Sequence, residues 1–429
     1  MSIASTRGAK GLQLPKLIAT FLGGQALVQA VSMVLGFAIL HWLTKEEYAK
    51  YGLANIFQGA VTILAELGFA GSVVALVGAR ITEHDVVTRY INSARRLRTR
   101  SALIMVPLSL VAFFLLTKNR DWSAPDKFLL WTGIASGVIL NGWTVYRAPL
   151  LMHRKVKTVA ADDFANATFR LIMSTALYFG KALNGWTASW AGSLGAAVAG
   201  SLYKWHSKPY RHDHNDSDTE SLKEVVKFVG PLWPGMMFTV FQAQIGIGLL
   251  AVFGTTTAMA DLSALGRLAQ LLTVFGAANT ALVEPAIARS PKDRLASRCF
   301  LVLGLACGPA TVLFLVGAFV PAVSLLLLGS KYNNVVGEFP IAYAGPCVSY
   351  VASVVYAINT VRGWIGWKQA SLQISFVVVT QLLFILVKLP KTTHLVLVFG
   401  FVSSLAALFI ALCVMVRGII TSRRQEQNG

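Results

Sequence analysis

Polar and charged side chains interrupt the long apolar segments of this sequence at regular steps. In the longest such series, between residues 258 and 288, polar residues recur at three- and four-residue steps, with Ala277 filling one gap, and therefore share one face of a helix. The series comprises Ser263, Arg267, Gln270, Thr273, Thr280 and Glu284. A charge in the middle of a membrane helix costs about 2.5–3.5 kcal/mol on insertion scales, so this face is expected to line a water-filled cavity.

Two shorter series in the N-terminal half predict the same kind of surface. The first comprises Gln25, Gln29 and Ser32, and the second comprises Asn55, Gln58, Thr62 and Glu66. Both follow the helical repeat of three or four residues. We therefore expect polar faces from both halves of the chain to meet water between two helical bundles.

Arginines in or beside these segments are candidates for binding an anion. Arg267 is the strongest, because a guanidinium stays charged and can bind a phosphate through two N–H groups. Its alternative role is a structural ion pair with Asp261 or Glu284. Arg147 and Arg170 are weaker candidates, since each lies near the end of its predicted span and can extend to the lipid headgroups. The predicted substrate-binding residues are Arg267, Gln270, Gln58, Gln29, Arg170 and Arg147.

Three carboxylates are candidates for coupling transport to a proton or sodium gradient: Glu66, Asp261 and Glu284. A carboxylate inside a membrane protein can bind and release such an ion during a transport cycle. Glu66 ranks first because it lies deepest in its predicted span, with a structural role as the alternative. For Asp261 the alternative is a solvated position at the outer interface.

Composition places the chain in a lipid bilayer. Of its 429 residues, 55% are hydrophobic and only 13% are charged, whereas soluble domains carry about 25% charged residues. The net charge of +19 does not indicate nucleic-acid binding, because the basic residues lie in short loops between apolar segments.

Apolar segments on the two sides of a polar stretch predict an all-α membrane protein with about twelve spans. The predicted parts are an N-terminal six-helix bundle at 1–204, a cytoplasmic hinge at 205–227 and a C-terminal six-helix bundle at 228–429. The predicted spans are about 17–43, 52–78, 101–117, 128–151, 169–183, 187–204, 228–253, 258–288, 300–329, 339–361, 371–388 and 394–416.

Lys and Arg in the loops predict the orientation. One side of the membrane receives roughly 27 basic residues and the other about 9, which places both termini and the hinge in the cytoplasm. The loops on the other side are too short for a catalytic domain. The sequence also contains no recognisable catalytic motif. We therefore predict no catalytic residue and no metal or cofactor site, and we expect the chain not to be an enzyme.

Three local patterns predict further features of the structure. Paired helix breakers, Gly23-Gly24 in the first span and Gly230-Pro231 with Pro234-Gly235 in the seventh, predict bends at matching places. Ser221 and Glu224 predict a capping box. The histidines and aspartates of the hinge, His212 among them, match no metal spacing and indicate a solvated linker.

The segment Leu43 to Arg80 carries a family resemblance. Its pattern L-x-x-E-E-Y-x-x-Y-G followed by E-L-G-F resembles the polysaccharide transporter (Wzx-type flippase) family. The segment ALVEPAIAR at Ala281 to Arg289 is similar to the corresponding helix of that family's second half. The family belongs to a superfamily that also contains multidrug extruders and the lipid II flippase. The lipid II flippase has two more spans and arginines in its first span, and this first span has none.

The resemblance implies two bundles around a central cavity in the bacterial inner membrane. The implied activity is outward flipping of a polyprenyl-diphosphate-linked oligosaccharide by alternating access, coupled to an H⁺ or Na⁺ gradient. The implied partners are this substrate, membrane lipid, and a polysaccharide polymerase with its chain-length regulator. A cation-coupled multidrug extruder of the same superfamily shares the twelve-span plan and is the alternative.

Overall fold

A computed structural model describes residues 6–78, 80–212, 219–230, 233–279, 287, 290 and 295–427. Helix accounts for 88% of the structure, and the described residues contain no strand. Eight helical segments among them are long and apolar enough to span a membrane, or nine if one bent helix counts as a span. The predicted all-α membrane class is confirmed.

The chain divides into two compact units, Met1–Val252 (unit 1) and Phe253–Gly429 (unit 2). The helices of the first half are α1 Thr6–Trp42, α2 Lys45–Glu66, α3 Phe69–Val77, α4 His84–Leu116, α5 Ala124–Leu140, α6 Arg147–Met152, α7 Val156–Phe179, α8 Gly185–His206, α9 Thr219–Val229 and α10 Trp233–Phe253. Those of the second half are α11 Thr256–Ala269, α12 Leu271–Ala278, α13 Leu295–Phe319, α14 Pro321–Leu328, α15 Phe339–Val361, α16 Trp367–Val387 and α17 Thr393–Gln427.

Close helix packing holds unit 1 together. Helix α7 packs against α1 and α8, and α8 also packs against α5. Gly24 permits the α1–α7 contact, because a Cβ added there would lie only 2.6 Å from the Ala160 Cβ. Helix α1 is continuous through Gly23-Gly24, and bending there during alternating access stays a prediction. Gly24 serves this close packing, whereas a Cβ at Gly23 would meet no atom within 4 Å. Helix α10 bends by 48° between Gln242 and Gln244, beyond the predicted positions Gly230-Pro231 and Pro234-Gly235, of which Pro231 lies outside the described residues.

The second predicted span is broken. Helix α2 ends at Glu66, and Leu67 and Gly68 both adopt left-handed backbone conformations before α3 begins. The Glu66 carboxylate accepts the N–H of Ala70 in the first turn of α3 at 2.8 Å. A negative charge at this position stabilises the new helix, since its first N–H groups have no partner within the helix.

A buried arginine neutralises the same carboxylate. Arg98 donates from Nε to Glu66 Oε2 at 2.8 Å and from Nη2 to the Val138 carbonyl at 2.9 Å, and it is only 3% exposed. The sequence placed Arg98 in a basic loop before the third span, which was wrong. Helix α4 begins at His84, 17 residues before the predicted start at 101, and carries Arg98 into the bundle.

The polar stretch 205–227 contains more structure than a solvated linker. Helix α8 continues to His206, a short 3₁₀ turn follows, and α9 begins at Thr219. Ser221 lies inside α9 and bonds Ser93 at 2.6 Å, and Glu224 accepts a hydrogen bond from Tyr90. The predicted capping box is therefore wrong, and α9 packs on α3 and α4 instead. Whether the two bundles divide within 205–227 stays a prediction.

Arg120, in the loop after α4, connects that loop to α10. Its guanidinium donates to the carbonyl oxygens of Leu250 and Ala251, the latter at 2.8 Å from Nη2. These carbonyls belong to the last turn of α10, where a positive charge is favourable. Burial lowers the pKa of Arg120, yet an arginine remains charged at neutral pH.

Removing Arg98 is expected to destabilise the protein. Arg98→Ala leaves the partly buried Glu66 carboxylate without its partner, a change that costs up to about 3 kcal/mol. The measurement is thermal unfolding of the purified protein in detergent, with Arg100→Ala, an exposed residue of the same helix, as the control. The double variant Glu66→Gln/Arg98→Leu should recover part of the loss. Equal melting temperatures for Arg98→Ala and Arg100→Ala would contradict the structural role of the pair.

Candidate functional site

Asp163 is the centre of a polar cluster in unit 1. Its Oδ2 accepts hydrogen bonds from Gln25 Nε2 and from Arg147 Nη2, both at 3.1 Å. Its Oδ1 accepts one from the Tyr203 hydroxyl. The three donors come from α1, α6 and α8, and Asp163 itself lies on α7. One carboxylate therefore joins four helices of the unit.

The neighbouring Asp162 has a separate partner. It is 2% exposed and lies 3.1 Å from His206 at the end of α8. Consecutive residues of a helix lie on different faces, so the two carboxylates contact different neighbours. Asp163 is more accessible, with a side chain 18% exposed, and Arg147 is 36% exposed. Of the two aspartates, Asp163 with its partner Arg147 is therefore the one that water or a substrate can reach.

Further along the same face of α7, polar atoms are buried without a partner. Asn166 and Arg170 follow Asp163 at three- and four-residue steps, and Asn166 Oδ1 and Arg170 Nε make no hydrogen bond with the described residues. Two glycines of α8 provide their space. A Cβ added at Gly195 would lie 2.4 Å from both Asn166 Oδ1 and Arg170 Cγ, and one at Gly192 would lie 3.9 Å from Arg170 Nε.

Arg170 is the cation that this face leaves available. It forms no ion pair with any described residue, whereas Arg98 and Arg147 each have a carboxylate. Arg170 as a residue is half-buried, with its Nε atom buried. Arg147 pairs with Asp163, and Arg170 lies 14 residues into α7; the predicted extension of these two arginines to the lipid headgroups stays a prediction.

The two predicted amides of unit 1 have different surroundings. Gln58 is held inside the bundle, where its Nε2 donates to Ser193 Oγ at 3.0 Å. A Cβ at Gly137 would lie 1.5 Å from that nitrogen, so α5 has no room for a larger residue there. Gln29 is half-buried on α1, one turn beyond Gln25. Glu66 is committed to Arg98 and Ala70, as described above.

The predicted residues of unit 2 lie on or after α11. Asp261 is 4% exposed and accepts a hydrogen bond from Asn334 Nδ2 at 2.9 Å, so the solvated alternative for this residue was wrong. Arg267 is half-buried in the last turn of α11. Gln270 occupies the turn between α11 and α12, which interrupts the predicted polar face. Glu284 lies outside the described residues.

The described residues contain no group of three or more His, Cys, Asp or Glu side chains positioned to hold a metal ion. The chemistry of unit 1 is instead that of ion pairs and amides. The sequence missed Asp163 because the fifth span was predicted to begin at 169, whereas α7 begins at Val156. Tyr203 lies within the predicted sixth span, and its role depends on the contact with Asp163. The signal that could have found Asp163 is Asp162-Asp163 followed by Arg170, a helical repeat that crosses the predicted boundary.

Solved structures match this fold over nearly the whole chain. A multidrug resistance MATE family transporter of the MOP superfamily in an inward-facing conformation gives a TM-score of 0.71 at 14% identity, covering 93% of this chain and 96% of that chain. An outward-facing structure of such a transporter gives 0.66 at 14%, covering 96% and 95%. No protein-family model matches the sequence, and no curated protein gives a significant match.

A third match differs in its binding pocket. It is a MOP superfamily transporter from Pyrococcus furiosus Vc1, with a TM-score of 0.66 at 12% identity, covering 96% of this chain and 95% of that chain. That protein is described as having a binding pocket of reverse polarity that suggests a different function. This chain has the fold of MOP-superfamily transporters.

The glycine contact with Arg170 generates a stability prediction. Gly195→Ala forces a methyl group against Asn166 and Arg170, and overpacking of this kind costs about 1–3 kcal/mol. Gly59→Ala in α2 is the matched control, because a Cβ there meets no atom within 4 Å. Thermal unfolding in detergent should show a loss for Gly195→Ala alone. A melting temperature unchanged from the parent protein would mean that α8 does not approach Arg170 this closely.

Proposed function

We propose that the protein is an alternating-access exporter whose substrate is a polyprenyl-diphosphate-linked oligosaccharide. The fold supports export, since it occurs in transporters solved in inward-facing and outward-facing conformations. The sequence pattern of Leu43 to Arg80 supports the lipid-linked sugar. The proposed location is the bacterial inner membrane with both termini in the cytoplasm, where a polymerase and chain-length regulator would be the partners.

The main support for an anionic substrate comes from the surroundings of Arg170. Its Nε is buried and has no hydrogen-bond partner among the described residues, and the same holds for Asn166 Oδ1 and Thr168 Oγ1 on the same helix. A diphosphate would supply acceptors for the guanidinium, and a guanidinium binds phosphate oxygens through two parallel N–H groups. A sugar hydroxyl can donate to the amide oxygen of Asn166. We assign the same anion-binding role to Arg267, with Gln29, Gln58 and Gln270 as polar lining.

A cation-coupled multidrug extruder is the second candidate. The solved structures favour it more directly, because two of them are described as multidrug resistance transporters. An extruder of cationic compounds is expected to have an acidic and aromatic cavity. Among the described residues of unit 1, Glu66, Asp162 and Asp163 each have a basic partner, whereas Arg170 forms no ion pair. This charge pattern is our reason for proposing that the substrate is an anion.

For ion coupling we add Asp163 to the proposed residues Glu66, Asp261 and Glu284. Protonation of Asp163 would remove the charge that binds Arg147 and would weaken the contacts among α1, α6, α7 and α8. Proton binding and helix contacts would therefore be linked, as alternating access requires. Substrate-driven proton movement in vesicles should be absent in Asp163→Asn. Proton movement at the parental rate in that variant would remove Asp163 from the coupling role.

Deletion of the gene separates the two candidates. We expect loss of surface polysaccharide together with build-up of sugar-loaded polyprenyl diphosphate on the cytoplasmic leaflet, both reversed by complementation. Chemical analysis of surface sugar and of extracted lipids measures the two quantities. Unchanged polysaccharide with greater sensitivity to cationic drugs would instead establish the extruder.

The proposed anion-binding residues generate a prediction for variants. Loss of one charge-assisted contact of about 1.5–3 kcal/mol corresponds to roughly 10- to 100-fold, so Arg170→Gln and Arg267→Ala should each reduce export by that factor. Arg267→Lys should retain part of the activity. Arg100→Gln is the control for general loss of charge, and membrane levels of every variant must match. Normal export by well-expressed Arg267→Ala would remove that residue from the mechanism.

A further inference from the structure

Unit 2 contains a cavity that the proposed transport sites do not use. Its volume is about 590 Å³, within the range of roughly 300–1,000 Å³ common for small-molecule sites. The walls come from the start of α13, the connection between α15 and α16 with the first turns of α16, and the second half of α17. All three regions lie at one end of the helices of this unit.

The described wall of this cavity contains two arginines, Arg362 and Arg417, and no acidic residue. Arg362 is held in place, since its Nη2 donates to the Ser290 carbonyl at 2.8 Å. Arg417 is exposed and forms no ion pair with any described residue. The hydroxyls of Thr421 and Ser422 donate to backbone carbonyls of α17, so the two guanidinium groups provide the main attraction for an anion.

The remaining wall is aromatic and aliphatic. The Trp364 ring lies on Gly418, where an added Cβ would be 2.2 Å from the ring. Leu372 lines the cavity and is 57% exposed on α16, a surface that faces lipid in a membrane-spanning bundle. The cavity therefore combines a basic end with an apolar side, which is the chemistry of a site for an anionic amphiphile.

We propose that this cavity binds an anionic glycerophospholipid, with the phosphate between Arg362 and Arg417 and an acyl chain along Leu372. The loop charges of the sequence predict that this end of unit 2 is cytoplasmic, and basic pockets between helices on that side suit anionic headgroups. Free phosphate shares the headgroup chemistry but cannot use the Leu372 surface. Lipid binding is measured directly, so it does not depend on what the protein exports.

The test is a lipid titration of the full chain, purified in detergent and measured by native mass spectrometry. Phosphatidylglycerol should bind about tenfold more tightly than phosphatidylcholine with the same acyl chains, as expected for a charge-assisted contact. Arg417→Gln should lower phosphatidylglycerol affinity about tenfold. Arg100→Gln, an exposed arginine of unit 1, should bind like the parent protein.

A second variant keeps the proposal testable if Arg417→Gln misfolds. Leu372→Trp fills the cavity without changing charge and should also weaken phosphatidylglycerol binding. Equal affinity for the two lipids, or equal losses in Arg417→Gln and Arg100→Gln, would overturn the site. Displacement of phosphatidylglycerol by equimolar inorganic phosphate would show a free-anion site and would overturn the lipid assignment. Each variant must elute as a single monodisperse peak in gel filtration, which shows that it is folded, before its lipid binding is compared.

Discussion

The Glu66–Arg98 ion pair fixes the geometry on which much of unit 1 depends. Glu66 ends α2 and provides the acceptor for the first turn of α3, while Arg98 contacts the carbonyl of Val138 near the end of α5. Gly142 lies in the 3₁₀ turn between α5 and α6, and a Cβ there would lie 2.5 Å from Arg98 Nη1. Because α6 starts with Arg147, the buried pair also sets where the Asp163 cluster can form.

Charge pairing explains how an apolar bundle tolerates so many ionised groups. Isolated charges in a low-dielectric interior are costly, and a paired, hydrogen-bonded charge is far less so. Each carboxylate of unit 1 that reaches the bundle has a nearby base: Arg98 for Glu66, His206 for Asp162 and Arg147 for Asp163. Against this background, Arg170 is the exception. Among the described residues Arg170 forms no ion pair, which is why we propose it as the position for an anionic ligand.

The sequence predicted the membrane class well, because long apolar segments directly reflect the bilayer thickness. It failed where a helix extends beyond its apolar part. Arg98 and Asp163 both lie in polar first halves of helices that a hydropathy window treats as loops, although α4 and α7 begin at His84 and Val156. Their partners Glu66 and Arg147 are remote in sequence, and no local pattern specifies a pairing of this kind. Single residues such as Asp261 and Gln58 were located on helices correctly, but their contacts depend on packing.

Fold alone does not determine what such a protein carries. The matched structures include multidrug resistance transporters and a Pyrococcus furiosus protein whose pocket is described as of reverse polarity, so a common helical framework accommodates opposite charges. If Arg170 binds the substrate as proposed, Gly195 of α8 contributes to specificity, because a Cβ there would lie 2.4 Å from Arg170 Cγ. A Cβ at Gly192 would lie 3.9 Å from Arg170 Nε, which is ordinary contact, so a larger residue at 195 is the change that would move this cation.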